Sequence, residues 1–226
     1  VANLFTFGCS FTYGHGLKDC LNGRQPGPEP SRMAWPQKLG ERTGLVVHNY
    51  GKPGADNLTI LSKIMENHNA FKADDTVAIL WSFNNRYSYF NKDQMRYVTT
   101  QITPYGIAAW SRKKGDYVID KEGKQYNHYH AHFSSVHNDR IRSLLIANTA
   151  YSFLKSKVKT VVQSSIEPIV MDYFTKELNC TNMKDYWGNI ITSKDKAADG
   201  VHPGEKAHEQ FADYLHSMWK SEQGIL

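Results

Sequence analysis

Asn3-Leu-Phe-Thr-Phe-Gly-Cys-Ser-Phe-Thr-Tyr-Gly14 reads as a buried strand that stops at Gly8 and releases Ser10 into a tight turn. The run is apolar and rich in rings up to Gly8, and the flanking glycines permit a sharp change of direction. A serine held there has its hydroxyl exposed at the carboxyl end of a strand, where α/β sheets bind their ligands.

Working outward, residues 18–32 contain Gly23, Pro26, Gly27, Pro28 and Pro30, a density of breakers expected of a surface loop. A helix is predicted from Trp35, with Pro36 in its first turn and Gly44 past its end, followed by a second strand over 45–49. Leu58, Leu61, Ile64 and Met65 recur at helical spacing, and 76–83 is a continuous apolar run suited to a strand covered on both faces. A long helix over 138–158 follows Ile141, Leu144, Leu145, Asn148 and Tyr151. A fourth strand is expected at 160–163, and a closing helix over 203–219 carries Ala207, Phe211, Leu215 and Met218 on one face. Strands alternating with helices predict an α/β domain with a parallel sheet and helices on both faces. Residues 86–137 fit no such unit and read as an insertion beside the carboxyl edge of the sheet, in a single domain spanning 1–226.

Composition narrows the function classes. Hydrophobic content of 40% and charged content of 22% are those of an ordinary globular chain. No apolar run approaches the ~18 residues of a membrane span. The net charge of +5 is scattered, and Arg112-Lys113-Lys114 is its longest cluster, so a solvated basic surface is expected and no nucleic-acid partner. Three cysteines, Cys9, Cys20 and Cys180, do not make a disulfide framework, and the first residues lack the pattern of a secretion signal. Cytoplasm is the default compartment, with secretion through a removed leader also compatible.

A serine is a weak nucleophile and needs a base, and the oxyanion it creates needs donors already in place. Asp199-Gly-Val-His202-Pro-Gly204 supplies an acid three residues before a histidine, in a loop preceding a helix. That spacing lets the carboxylate meet one imidazole nitrogen while the other faces the serine. Gly54, in a loop after the second strand, and Asn84, after the third, emerge at the same sheet edge.

In this order the four segments resemble the blocks of the SGNH hydrolases, the GDSL-type esterases and lipases. Gly8-Cys-Ser-Phe-Thr-Tyr-Gly14 is similar to the family's Gly-Asp-Ser-x-x-x-Gly, and Asp199-Gly-Val-His202 to its Asp-x-x-His. Asn49-Tyr-Gly-Lys-Pro-Gly54-Ala-Asp-Asn57 is similar to the glycine block, with Gly54 as its donor, and Ser82-Phe-Asn-Asn85 to Gly-x-Asn-Asp. The resemblance implies a three-layer α/β/α sandwich with a flavodoxin-like parallel sheet. It implies Ser10 as nucleophile, His202 as base, Asp199 as its support, and Ser10, Gly54 and Asn84 as the oxyanion hole, with no cofactor. Cys9 departs from the family's aspartate, and Ser82 and Asn85 from its glycine and aspartate. Trp81 and Arg86, flanking the third block, are candidate substrate contacts.

The insertion is enriched in rings, among them Tyr87, Tyr89, Tyr97, Trp110 and Tyr129, mixed with polar residues. Such a surface suits a sugar better than a long acyl chain, so a short-chain, acetyl-type ester, carried on a small molecule or carbohydrate, is the expected substrate. The same rings could equally form the insertion's own small core. His128, His130 and His132 alternate as on one face of a strand and are the candidate metal ligands, without any accompanying zinc motif. A non-catalytic carbohydrate- or surface-binding module on the same fold, and an acyltransferase or lipase of the same family, are the alternative functions.

Overall fold

β1 (Asn3–Gly8) is buried along nearly its whole length, because strands flank it on both sides and helices cover both faces. The computed structural model describes residues 2–22, 25–91, 96–103, 106–111, 116–118, 135–169, 183 and 185–225. After β1 come α1 (Ser10–Tyr13), the short paired strands β2 (Leu21–Asn22) and β3 (Gln25–Pro26), α2 (Trp35–Thr43), β4 (Val46–Asn49), α3 (Asn57–Glu66) and β5 (Thr76–Trp81). Next come β6 (Arg86–Asn91), β7 (Arg96–Thr103), β8 (Gly106–Ser111) and β9 (Asp116–Val118), in the segment expected to be an insertion. The chain then continues through α4 (Val136–Lys155), β10 (Thr160–Ser165), α5 (Trp187–Ile190) and α6 (Glu205–Glu222).

The main sheet is parallel, in the order β10-β5-β1-β4. From β1 the chain passes to β4 on one side and then to β5 on the other. The order therefore reverses at β1, and the crevice beyond its carboxyl end is the expected ligand site of such a sheet. α2 and α6 pack together on one face of the sheet, α3 and α4 on the other, which makes three layers. Leu4, Phe7, Ile79, Leu80, Val161 and Val162 form the middle of the core, sealed by Ile60, Ile64, Leu144 and Leu154 from one helical layer and by Trp35, Leu39, Phe211 and Leu215 from the other.

Several expectations shift. α3 begins at Asn57 because the buried Asp56 caps it, accepting from Thr59 N at 2.9 Å. The face it buries is Asn57, Ile60 and Ile64, whereas Leu58 and Met65, two of the residues recurring at helical spacing, are 48% and 42% exposed. β5 ends at Trp81, since the next amide, Ser82 N, donates to Asn57 Oδ1 at 2.7 Å and leaves the ladder. α4 starts at Val136, inside the segment expected to be insertion, because Ser135 caps it by accepting from Asn138 N. Its inward stripe is Leu144, Ala147, Ala150 and Leu154, with Leu145 exposed. β10 runs two residues further than expected, to Ser165.

β6 to β9 form an antiparallel sheet in sequence order. It is tied to the main body where Ser88 N donates to the second oxygen of Asp56, and where Tyr87 Oη bonds Asp139 of α4.

Candidate active site

Hydrogen bonds at the strand ends tie the first two sequence blocks together. Gly8 has to be glycine: a β-carbon there would sit 2.9 Å from Leu80 O and closer still to Thr12, so only a bare Cα allows β1 to turn directly into α1. Ser10 is the first residue of that turn and is 4% exposed. Gly51 lies against the same turn, where an added β-carbon would be 2.5 Å from Tyr13 N. Asn49 clips the two together, donating to Thr12 O at 2.9 Å while accepting from Gly51 N at 2.8 Å. Lys52 N donates to Gly8 O, which leads the chain to Gly54, exposed and left-handed at φ +78°. Among the described residues no carbonyl accepts from the Gly54 amide.

The last block is a self-contained loop. The Asp195 carboxylate accepts from Lys206 N and Ala207 N and so caps α6, while Ala197 N donates to His202 O. Inside this loop Asp199 Oδ1 accepts from Val201 N at 2.9 Å and His202 N at 3.0 Å, and Oδ2 lies 2.6 Å from His202 Nδ1. Burial opposes ionisation of Asp199, but those two amides and the imidazole outweigh it and hold its carboxyl below the usual carboxylate range. An ionised Asp199 keeps the proton of His202 on Nδ1 and leaves the Nε2 lone pair to accept.

Phe11, next to Ser10, links the blocks through its ring: its centroid is 6.1 Å from His202, 5.1 Å from Trp187 and 6.1 Å from Phe83. The Ser10 hydroxyl is directed at Cys9 Sγ, 4.0 Å away, and makes no hydrogen bond to His202.

Asn84 is 6% exposed and held on three sides. Its amide donates to the Glu167 carboxylate at 3.0 Å, its carbonyl accepts from Arg142, and its Nδ2 donates to Pro168 O at 3.0 Å. The side-chain amide has two N–H groups, so this bond fixes its orientation and leaves one donor.

Two candidate substrate contacts are corrected. Trp81 is 0% exposed, and its Nε1 donates to Gln163 Oε1 at 2.9 Å, so it is a core residue of β5. Arg86 is buried: its Nη1 donates to Ser82 Oγ at 3.0 Å and its guanidinium lies 4.6 Å from the Phe83 ring centroid. The serine standing in place of a glycine in the third block thus has a structural partner in Arg86. His128, His130 and His132 lie outside the described residues, as does Cys180; Cys9 and Cys20 are buried free thiols.

The sequence reasoning passed over His15. Its ring centroid is 4.4 Å from that of His202, and one potential ligand atom from each of His15, Asp199 and His202 lies within 4.8 Å of the others. The signal was present as Gly14-His15-Gly16, a histidine between two glycines that both adopt left-handed φ. No helix among the described residues is long and apolar enough to cross a membrane. A hollow of about 300 Å³ beside β6, bordered by Asp56, Asn57, Ser88 and Arg142, has none of the Ser10, Gly54 or His202 groups in its wall.

No family model and no curated relative matches the chain. Solved structures do. An acetyl xylan esterase from Butyrivibrio proteoclasticus superposes with a TM-score of 0.57 at 10% identity, covering 100% of this chain, which spans 65% of that one. The aryl esterase of M. smegmatis gives a TM-score of 0.52 at 12% identity over 98% of this chain and 99% of its own. A putative lipolytic protein of the G-D-S-L family from Desulfitobacterium hafniense gives 0.50 at 12%, over 96% and 99%. At such identities the likeness is one of architecture, and with the sheet order and the site at its reversal point it is specific: the chain has the fold of the SGNH, or GDSL-type, hydrolases.

Proposed function

We propose that the protein is a serine ester hydrolase that removes a short, acetyl-type acyl group through an acyl-enzyme, with a decorated carbohydrate as the preferred ester. The observation that carries the reading is the ionised Asp199 carboxylate against His202 Nδ1, oriented and held in the loop that Phe11 joins to the Ser10 turn. In the proposed cycle His202 Nε2 takes the Ser10 proton as Oγ attacks the ester carbonyl. The Ser10 and Gly54 amides and the free N–H of Asn84 Nδ2 receive the oxyanion. The protonated imidazole then gives its proton to the leaving alcohol, and a water activated by the same nitrogen releases the acid. Every step uses groups of this chain, so no cofactor is required.

The acetyl preference is supported by the ring-rich insertion, whose tyrosines are mixed with polar residues, and by the half-buried Phe11 and Phe83 rings, which meet edge to face next to the Ser10 turn. The likeness to an acetyl xylan esterase points the same way. A chain-length series of p-nitrophenyl esters tests it: acetate and butyrate should be the best substrates, and an optimum at eight or more carbons would identify a lipase instead. The Ser10 hydroxyl, turned to Cys9 rather than His202, favours one second reading, a carbohydrate-binding module that does not turn over. In that case acetylated oligosaccharide would bind and be recovered intact.

A further inference from the structure

We propose that His15, Asp199 and His202 form a binding site for a divalent transition-metal ion of the zinc class, and that its occupancy switches off the base assigned above. The second half of this statement rests on the esterase reading; the first does not.

Two imidazoles and one carboxylate are a donor set suited to Zn²⁺, Ni²⁺ or Cu²⁺ and poorly suited to Mg²⁺ or Ca²⁺, which take oxygen ligands. One ligand atom from each residue already lies within 4.8 Å of the other two. Around a tetrahedral ion with bonds of about 2.0–2.1 Å the ligand atoms stand roughly 3.3 Å apart, so the gap to be closed is on the order of 1 to 1.5 Å. Side-chain rotation of the half-buried His15 covers that distance.

The backbone around His15 is built to keep it there. Gly14 and Gly16 are left-handed at φ +79° and +89°, and His15 N donates to Ser10 O at 3.0 Å. Ala198 N donates to Gly16 O at 2.9 Å, and the bare Cα of Gly16 lies against Asp199, where a β-carbon would be 2.5 Å from Oδ2. The turn thus presses His15 onto the His202–Asp199 pair from the side of the nucleophile's own segment.

The consequence for the base is the same whichever nitrogen the ion takes. At Nε2 it occupies the lone pair that would accept the Ser10 proton. At Nδ1 it displaces the hydrogen shared with Asp199, that proton moves to Nε2, and Nε2 becomes a donor. The ion is therefore a reversible inhibitor, not a cofactor.

The test uses the full chain, stripped of metal, with Zn²⁺ for inhibition and Co²⁺ for its visible spectrum. The wild type should lose ester hydrolysis as Zn²⁺ binds and regain it on adding EDTA. His15→Phe keeps a ring and removes both nitrogens; it should raise the half-inhibiting Zn²⁺ concentration at least about tenfold, measured against its own metal-free rate. His15→Gln serves if the ring variant does not fold. Replacing His128, His130 and His132 together by alanine should leave the wild-type inhibition in place. Equal inhibition of wild type and His15→Phe would overturn the proposal, as would inhibition lost with His128, His130 and His132. If the wild type hydrolyses no ester, the esterase reading fails while the metal site is still decided: a Co²⁺ spectrum present in the wild type and lost in His15→Phe supports it, and identical spectra refute it.

Discussion

Ser10 and His202 act as one unit in the proposed chemistry, so removing either should cost nearly the whole effect. Ser10→Ala and His202→Ala are each expected to lower ester turnover by at least about 10³-fold with the far-UV spectrum and melting temperature preserved. Asp199→Asn should be damaging, since the amide would turn an N–H toward His202 or lose one of the bonds from Val201 and His202. Asn84→Ala should reduce turnover about 10²-fold with little change in KM, the signature of a donor used in the transition state, and Asn85→Ala should cost less. These residues stand out as candidates in the sequence because each block is short, local and chemically distinctive. Trp81 and Arg86 were misread as substrate contacts because sequence proximity to a catalytic block does not say which way a side chain points. Trp81 lies on a strand buried on both faces, and Arg86 has Ser82 and Phe83 to satisfy it.

Glycines and a buried histidine set how the elements meet. Gly16 and Gly44 have similar positive φ, but a β-carbon on Gly44 meets nothing within 4 Å, while on Gly16 it collides with Asp199. Gly44→Ala should therefore lose roughly 1–2 kcal/mol of stability and no activity, whereas Gly16→Ala should also lower kcat, at least about tenfold. A second junction lies between α2 and α6. His208, 1% exposed, accepts the otherwise unpaired first amide of α2, Trp35 N, on Nδ1 at 3.2 Å. Burial first, and then the nearby Lys38 charge, push its pKa down to about 3. The unfolded chain takes up this proton near the ordinary value of 6.5, so the folded state is disfavoured as pH falls below about 6.5 and down to about 3. Melting temperature should fall across that window, with a slope from this group of up to about 1.4 kcal/mol per pH unit. His208→Asn, which retains an acceptor, should flatten the slope; an unchanged profile would show that His208 binds its proton equally in the folded and unfolded chain. Strand positions were readable from apolar runs, but the α3 face was not. Asp56, held by Thr59 and Ser88, fixes where that helix starts, and a contact from the insertion is invisible to local periodicity.

At the scale of the whole molecule, the alternation of strands and helices was enough to predict a parallel α/β sheet, and the order β10-β5-β1-β4 agrees with it. What the sequence could not reveal was His15 beside His202, because that contact joins residues 187 positions apart across the mouth of the sheet. Turnover should survive thorough chelation, since the proposed chemistry uses no metal and an ion at His15 only inhibits. A loss of activity restored by zinc would instead make metal part of the mechanism. The most direct measurement is labelling with a fluorophosphonate probe, followed by intact mass and peptide mapping, because the probe reacts with a serine only when base and oxyanion donors activate it. The account predicts one adduct per chain, on Ser10, abolished in His202→Ala. A folded, unmodified protein, or an adduct on any other serine, would contradict it.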